Sequence, residues 1–243
     1  MKEVIVSNDT GELSHRAADK LVDISRESIA ASGRFTVALS GGSTPKALFR
    51  LLSSDAYRNE VGWSNTLFFF GDERNVPPDA EESNFRMANE HLFTPLGISD
   101  EKIFRWKTEL GDPSAAADDY EAKLRSTIDT KVPIFDLIFL GMGPDGHTAS
   151  LFPYTNALDE TGRLAVANPV PQMNTTRLTL TYPAINAARN VAFLIAGAEK
   201  ADMLAKVIDG NGDLHELPSC GIDPKNGRLF WFVDSAAAAR LKT

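Results

Sequence analysis

Four short β-rich apolar runs, Phe35–Leu39, Thr66–Phe70, 135–140 and 191–195, each lead into a polar or glycine-bearing turn, with helical patterns between them. That alternation is the signature of βαβ units, and it predicts an α/β fold with a mostly parallel sheet and flanking helices. Leu13, Ala17, Leu21, Ile24 and Ile29 follow helical spacing and mark an early amphipathic helix. Ser83 is placed to cap a helix over 84–92, and 46–52 and 115–128 carry further helical patterns. The run 229–233 reads as a strand, with Asp234 positioned to cap the alanine-rich helix that follows. There is no internal repeat or heptad run, and 209–213 reads as a surface loop rather than a linker. With 243 residues, 43% of them hydrophobic, the chain can bury one substantial core, which predicts a single domain over residues 1–243.

Charge and cysteine content narrow the function classes. A formal charge of −8 opposes a broad nucleic-acid or membrane surface, because both need clustered positive charge. A small ligand is the expected partner. It can still be anionic, since screening over about 8–10 Å lets a few arginines and lysines dominate inside a pocket. The first residues carry Lys2, Glu3 and Asp9 around a short apolar run, which is neither a signal peptide nor a bilayer span. Cys220 is the single cysteine, so no internal disulfide forms, and no Cys/His spacing matches a structural zinc site. A reducing, cytoplasmic location follows as the expectation.

In open parallel sheets, ligands gather at the carboxyl ends of strands, so the turns after the apolar runs are where chemistry is sought. The first turn is Ser40-Gly41-Gly42-Ser43-Thr44-Pro45. Its glycines permit close backbone approach, Pro45 suits a first helical turn, and helix-start amides can hold a phosphate. It lacks the P-loop lysine and the dinucleotide spacing, so nucleotide binding is not favoured. The second turn, Gly71-Asp72-Glu73-Arg74, offers Arg74 for charge-assisted bonds to phosphate and Asp72 for sugar hydroxyls or a proton.

The third turn, 141–153, is the richest: Gly141-Met142-Gly143-Pro144-Asp145-Gly146-His147-Thr148-Ala149-Ser150-Leu151-Phe152-Pro153. A neutral histidine at a glycine-rich strand end can take a proton from water, and a nearby carboxylate can orient its ring, which makes His147 the general-base candidate. Ser150 is read as structural, because Phe152 stands where a nucleophile elbow needs glycine. Neither isolated acidic pairs nor His15, His91 and His215 form a constellation for glycosidase or metal chemistry, so no metal or cofactor is expected. Arg177-Leu178-Thr179-Leu180-Thr181 reads as a strand with outward polar groups, and Gly197-Ala198-Glu199-Lys200 opens a helix.

Taken together and in order, 40–45, Gly71-Asp72-Glu73-Arg74 with Ser83-Asn84, 141–153, 177–181 and 197–200 resemble the motifs of 6-phosphogluconolactonases. The likeness extends to Trp231-Phe232-Val233-Asp234 and so covers nearly the whole chain. It implies a fold shared with glucosamine-6-phosphate deaminases and ribose-5-phosphate isomerases. It also implies metal-free hydrolysis of 6-phospho-D-glucono-1,5-lactone in the oxidative pentose phosphate pathway. By that resemblance Ser40, Gly41, Gly42, Ser43, Thr44, Arg74, Arg177 and Lys200 surround the substrate phosphate, and His147 participates in hydrolysis. The N–H groups of Gly141, Met142 and Gly143 are oxyanion candidates. Asp145 and Asp72 both stand open as the group that orients His147 or positions water or substrate. The nearest alternative, an amino-sugar phosphate deaminase or isomerase, has a glutamate five positions beyond the histidine, where this chain has Phe152. A non-catalytic sugar-phosphate sensor is the other alternative, although residues 1–34 hold no basic recognition helix.

Overall fold

The computed structural model describes residues 2–128, 133–210 and 212–242; Asn211, inside the expected 209–213 loop, lies outside them. Nine strands are present among these residues: β1 (Lys2–Ser7), β2 (Phe35–Leu39), β3 (Thr66–Phe70), β4 (Asp72–Arg74), β5 (Leu137–Leu140), β6 (Ala165–Val170), β7 (Thr175–Leu180), β8 (Asn190–Ile195) and β9 (Arg228–Asp234). Six of them form one sheet in the order β1-β9-β8-β5-β2-β3, with every pairing parallel. All residues of β2, β5 and β8 are buried, as strands covered on both faces must be. The expected α/β class with a mostly parallel sheet is therefore observed.

Local chemistry explains where the elements begin. Asp9 accepts a 2.8 Å bond from the Glu12 N–H to start α1 (Thr10–Ser32), and Gly33, at φ 74°, ends it. The strand expected over 135–140 begins only at Leu137, because Asp136 turns aside to accept bonds from Thr36 N (2.9 Å) and Thr36 Oγ1 (2.8 Å). At the sheet edge, no further strand pairs with the far side of β3 among the described residues, where only an isolated bridge from Phe68 to Ile103 forms. There the Phe70 N–H donates to the Tyr120 hydroxyl at 2.8 Å, and that hydroxyl donates to Phe70 O at 2.9 Å. Tyr120 belongs to the helix Pro113–Thr127, and Trp106 stacks on its ring at 3.7 Å. This clamp holds the end of β3 where the chain turns into Asp72.

Some expectations need correction. The helix expected over 84–92 is α3 (Asn84–Ala88), continued by a π turn at Asn89–Phe93 and a last turn, α4 (Thr94–Leu96); Ser83 does cap it, accepting from Arg86 N at 3.2 Å. Asp234 caps only a 3-10 turn, Ala237–Arg240, since so short a segment does not offset the cost of nucleating an α-helix. The polar groups of 177–181 do not all point outward: Thr179 and Thr181 are 0% exposed. Thr179 lies on β7, the middle strand of a second, antiparallel sheet, β4-β7-β6, and Thr181 directly follows that strand; both hydroxyls bond backbone groups inside the protein. Thr179 Oγ1 accepts from Ser150 N (3.2 Å) and donates to Leu180 O (2.9 Å), and Thr181 Oγ1 donates to Arg163 O (2.6 Å).

The two sheets meet at a telling place. From β2 the chain moves outward to β3, and β5 then enters on the opposite side of β2 and leads on to β8 and β9. The carboxyl ends of β2 and β5 thus flank a topological switch point, where a crevice opens between diverging loops.

Candidate active site

A cavity of about 280 Å³ occupies that crevice. Ser40 and Gly41 from the turn after β2, Asp72 and Arg74 from β4, Gly141, Met142, Gly143 and His147 from the turn after β5, and Arg177 from β7 all line it. Most of the residues singled out in the sequence therefore converge. Gly42 and Lys46 instead line an adjoining groove that shares Arg74 with the cavity, and Ser43 and Thr44 form the first turn of α2 (Ser43–Leu52). Lys200 ends a 3-10 turn after β8 and is not among the residues lining the cavity.

His147 is held on several sides. Its Nδ1 lies 2.5 Å from Asp145 Oδ1, which also accepts from the His147 N–H at 3.2 Å. Asp145, and not Asp72, is therefore the carboxylate bonded to this imidazole, leaving Nε2 as its second ring nitrogen. Burial opposes ionisation of Asp145, yet the bonds and charge from His147 outweigh it and hold the carboxyl below its ordinary value. Phe152 covers a face of the imidazole, with centroids 4.1 Å apart and planes 28° from parallel. Gly143 lies against the ring so closely that a Cβ there would fall 2.1 Å from His147 Nδ1. The Gly143 N–H donates to His147 O at 2.9 Å, so of the three expected oxyanion amides this one is committed within its own loop.

Asp72 is 6% exposed and receives Ser150 Oγ at 2.7 Å on one oxygen and Asn84 Nδ2 at 3.2 Å on the other. Asn84 is brought in by a backbone device: a Cβ on Gly41 would sit 1.9 Å from Asn84 Oδ1, so only glycine lets the two turns meet. Glu73 faces away from the cavity and accepts at 2.8 Å from the N–H groups of Arg74, Asn84 and Phe85. Burial pushes the Glu73 carboxyl up from its ordinary value against those bonds.

The electrostatics of the opposite wall are unusual. Arg74 and Arg177 are direct cross-strand partners, an arrangement of like charges that destabilises a sheet. Arg74 donates to Glu82 O, and neither arginine forms an ion pair with a carboxylate among the described residues. The buried Arg177 Nε has no acceptor. Burial first and the Arg74 charge second push Arg177 down from its ordinary value. Two guanidiniums without carboxylate partners, in a chain of net charge −8, have the chemistry to take an anion with several oxygens.

Sequence reasoning missed Glu73 as the brace of the Asn84 turn, Phe152 as the cover of His147, and Met173 on the cavity rim. Only Glu73 left a signal, an acid ten residues before the capping Ser83, and it is read as a solvated charge without the fold.

Residues 8–231 match the family model described as glucosamine-6-phosphate isomerases/6-phosphogluconolactonase. A 6-phosphogluconolactonase from Nostoc sp. is 39% identical, with 99% of this chain and 98% of that protein covered. The solved 6-phosphogluconolactonase from Trypanosoma brucei is 29% identical, with a TM-score of 0.89 over 100% of this chain and 99% of the other. A monomeric glucosamine-6-phosphate deaminase superposes with a TM-score of 0.81 over 98% of this chain and 99% of the other, at 22% identity, a likeness of fold alone.

Proposed function

Because the chain belongs to the glucosamine-6-phosphate isomerase/6-phosphogluconolactonase family, we infer that it is an enzyme hydrolysing 6-phospho-D-glucono-1,5-lactone to 6-phospho-D-gluconate, a step of the oxidative pentose phosphate pathway. One observation carries the reading to this site: an imidazole with Nδ1 taken by Asp145 shares a cavity with two arginines that lack carboxylate partners. The arginines take the phosphate, with the helix-start amides near Ser43 and Thr44 behind them. Lys200 joins as a third cation if its side chain reaches across from the turn after β8 when substrate binds.

His147 Nε2 removes a proton from water as the water oxygen bonds to the lactone carbonyl carbon. The Nδ1–H of His147 keeps donating to Asp145 Oδ1, and the carboxylate stabilises the imidazolium so formed. The carbonyl electron pair moves onto oxygen, where the Gly141 and Met142 amides are the remaining donors. Collapse of the tetrahedral intermediate breaks the bond to the ring oxygen, and the imidazolium returns its proton there. Asp72 accepts from a substrate hydroxyl. No step draws on a metal. Within this reading residues 1–243 act as one domain in the cytoplasm; no helix among the described residues is long and apolar enough to cross a membrane.

Deamination of an amino-sugar phosphate would use the same phosphate receptor but needs further proton-transfer groups for ring opening and enolisation. Phe152, stacked on His147, can neither accept nor donate a proton. The deciding experiment gives the purified protein both substrates, following acid release from freshly generated lactone and ammonia from glucosamine 6-phosphate. The expected outcome is rapid lactone hydrolysis above the spontaneous background and no ammonia. Ammonia release without enzyme-dependent lactone hydrolysis would reject the reading.

A further inference from the structure

We propose that Ser150 is a positioning residue that acts through Asp72, holding its carboxyl group in the orientation that accepts from a hydroxyl group of the polyhydroxylated substrate; this rests on the cavity being the lactone site. Ser150 is 1% exposed, and all its polar groups are engaged. Its N–H donates to Thr179 Oγ1 (3.2 Å), its carbonyl accepts from Asn168 Nδ2 (2.9 Å), and its hydroxyl donates to Asp72 Oδ2 (2.7 Å). Thr179 stands on β7 and Asn168 on β6, so the antiparallel sheet grips the serine backbone from two strands. A hydroxyl mounted so firmly has one direction to point.

The consequence falls on the carboxylate. Asp72 receives one donor on each oxygen, from Ser150 and from Asn84, and two donors on different oxygens fix the plane and direction of the carboxyl group. Each oxygen retains further acceptor capacity, and Asp72 lines the cavity. The other charged and titratable groups around it are Arg74 and Arg177 along the strand pair, Glu73 next in the chain, Tyr120 behind Phe70 and His147 in the same cavity. A carboxylate beside two arginines would, if free to rotate, swing onto them and quench the anion receptor. The Ser150 and Asn84 bonds restrain it from that collapse, so one cavity offers both a hydroxyl acceptor and a phosphate receptor.

The test is a double-mutant cycle of Ser150→Ala and Asp72→Asn in the full-length protein, with kcat and KM measured on freshly generated lactone and Tm recorded for each variant. Ser150→Ala is expected to raise KM about tenfold while kcat stays within about threefold, because a substrate hydroxyl contact exists before and during the reaction. In the Asp72→Asn background, the same serine change is expected to alter kcat/KM by less than about twofold. Equal losses in both backgrounds, or a loss confined to kcat, would overturn the proposal, since a merely structural serine acts whether or not Asp72 is present. Wild-type kcat/KM in Asp72→Asn alone would remove Asp72 from the site and the proposal with it, while leaving His147 and the lactonase reading standing.

Discussion

The two sheets divide the work unevenly. The six-stranded parallel sheet is built from runs such as Phe35–Leu39 and Asn190–Ile195, buried along their whole length. The three-stranded antiparallel sheet contains Asp72, Glu73 and Arg74 as an entire strand, with Arg177 opposite Arg74 and the hydroxyl of Thr179 turned inward. The first sheet gains its stability from apolar burial and contributes to the site mainly the loops that leave its strand ends. The second presents charged side chains directly from its strands, at the cost of placing two arginines side by side. In the proposed function, chemistry therefore sits in a loop at the end of the large sheet, and recognition sits on the small one.

Four substitutions strain that division, and the largest effect is expected at His147. His147→Ala should lower kcat by roughly 10²–10⁴-fold, the usual contribution of general acid–base catalysis, with the fold retained by circular dichroism. Spontaneous hydrolysis has to be subtracted, and near-wild-type turnover by the folded variant would move the chemistry away from the large sheet. Next come Arg74→Ala and Arg177→Ala, each expected to lower kcat/KM about tenfold to a hundredfold on the phosphorylated lactone and far less on an unphosphorylated one. Equal losses on the two substrates would show that the small sheet supports the site without reading the phosphate. The smallest effect belongs to Thr179→Val, which keeps the side-chain shape but leaves the buried Ser150 N–H without its acceptor. A loss of about 1–3 kcal/mol, seen as a Tm lower by roughly 2–10 °C, is expected; an unchanged Tm would mean that the sheet does not need this bond to grip the loop.

The same contrast explains what could be read from the amino acids in advance. Periodicity reveals β2, β3 and β8 because apolar burial on both faces leaves an apolar run. It is blind to β4, where Asp-Glu-Arg reads as a polar turn, and to β6, where Asn168 and Pro169 interrupt the pattern. Pro169 is tolerated because β6 is an edge of its sheet, a fact that exists only once the sheet does. In the site, the glycine-rich turns and His147 were legible because glycine and histidine have few cheap reasons to occupy strand ends. The choice of Asp145 over Asp72 as the partner of the imidazole was not, since it depends on which way each carboxyl turns. The commitment of the Gly143 N–H to His147 O was equally invisible, because an amide carries no side-chain signature.

The register of β1 carries a consequence in time. Lys2 lies beside Leu229, and Ser7 beside Asp234, so the first strand made has the last one as its sheet partner. At about 5–20 residues per second, β1 leaves the ribosome on the order of 10–40 s before β9 exists to receive it. Val4 and Val6 spend that interval without a sheet, and even afterwards they remain 38% and 48% exposed on a free edge. Their flanking Lys2 and Glu3 put charge on this waiting segment, the means by which natural sequences discourage one chain's loose strand from pairing with another's. The segments that line the crevice, from Ser40 to Arg177, are all made before β9, so the far edge of the sheet can close only after they exist.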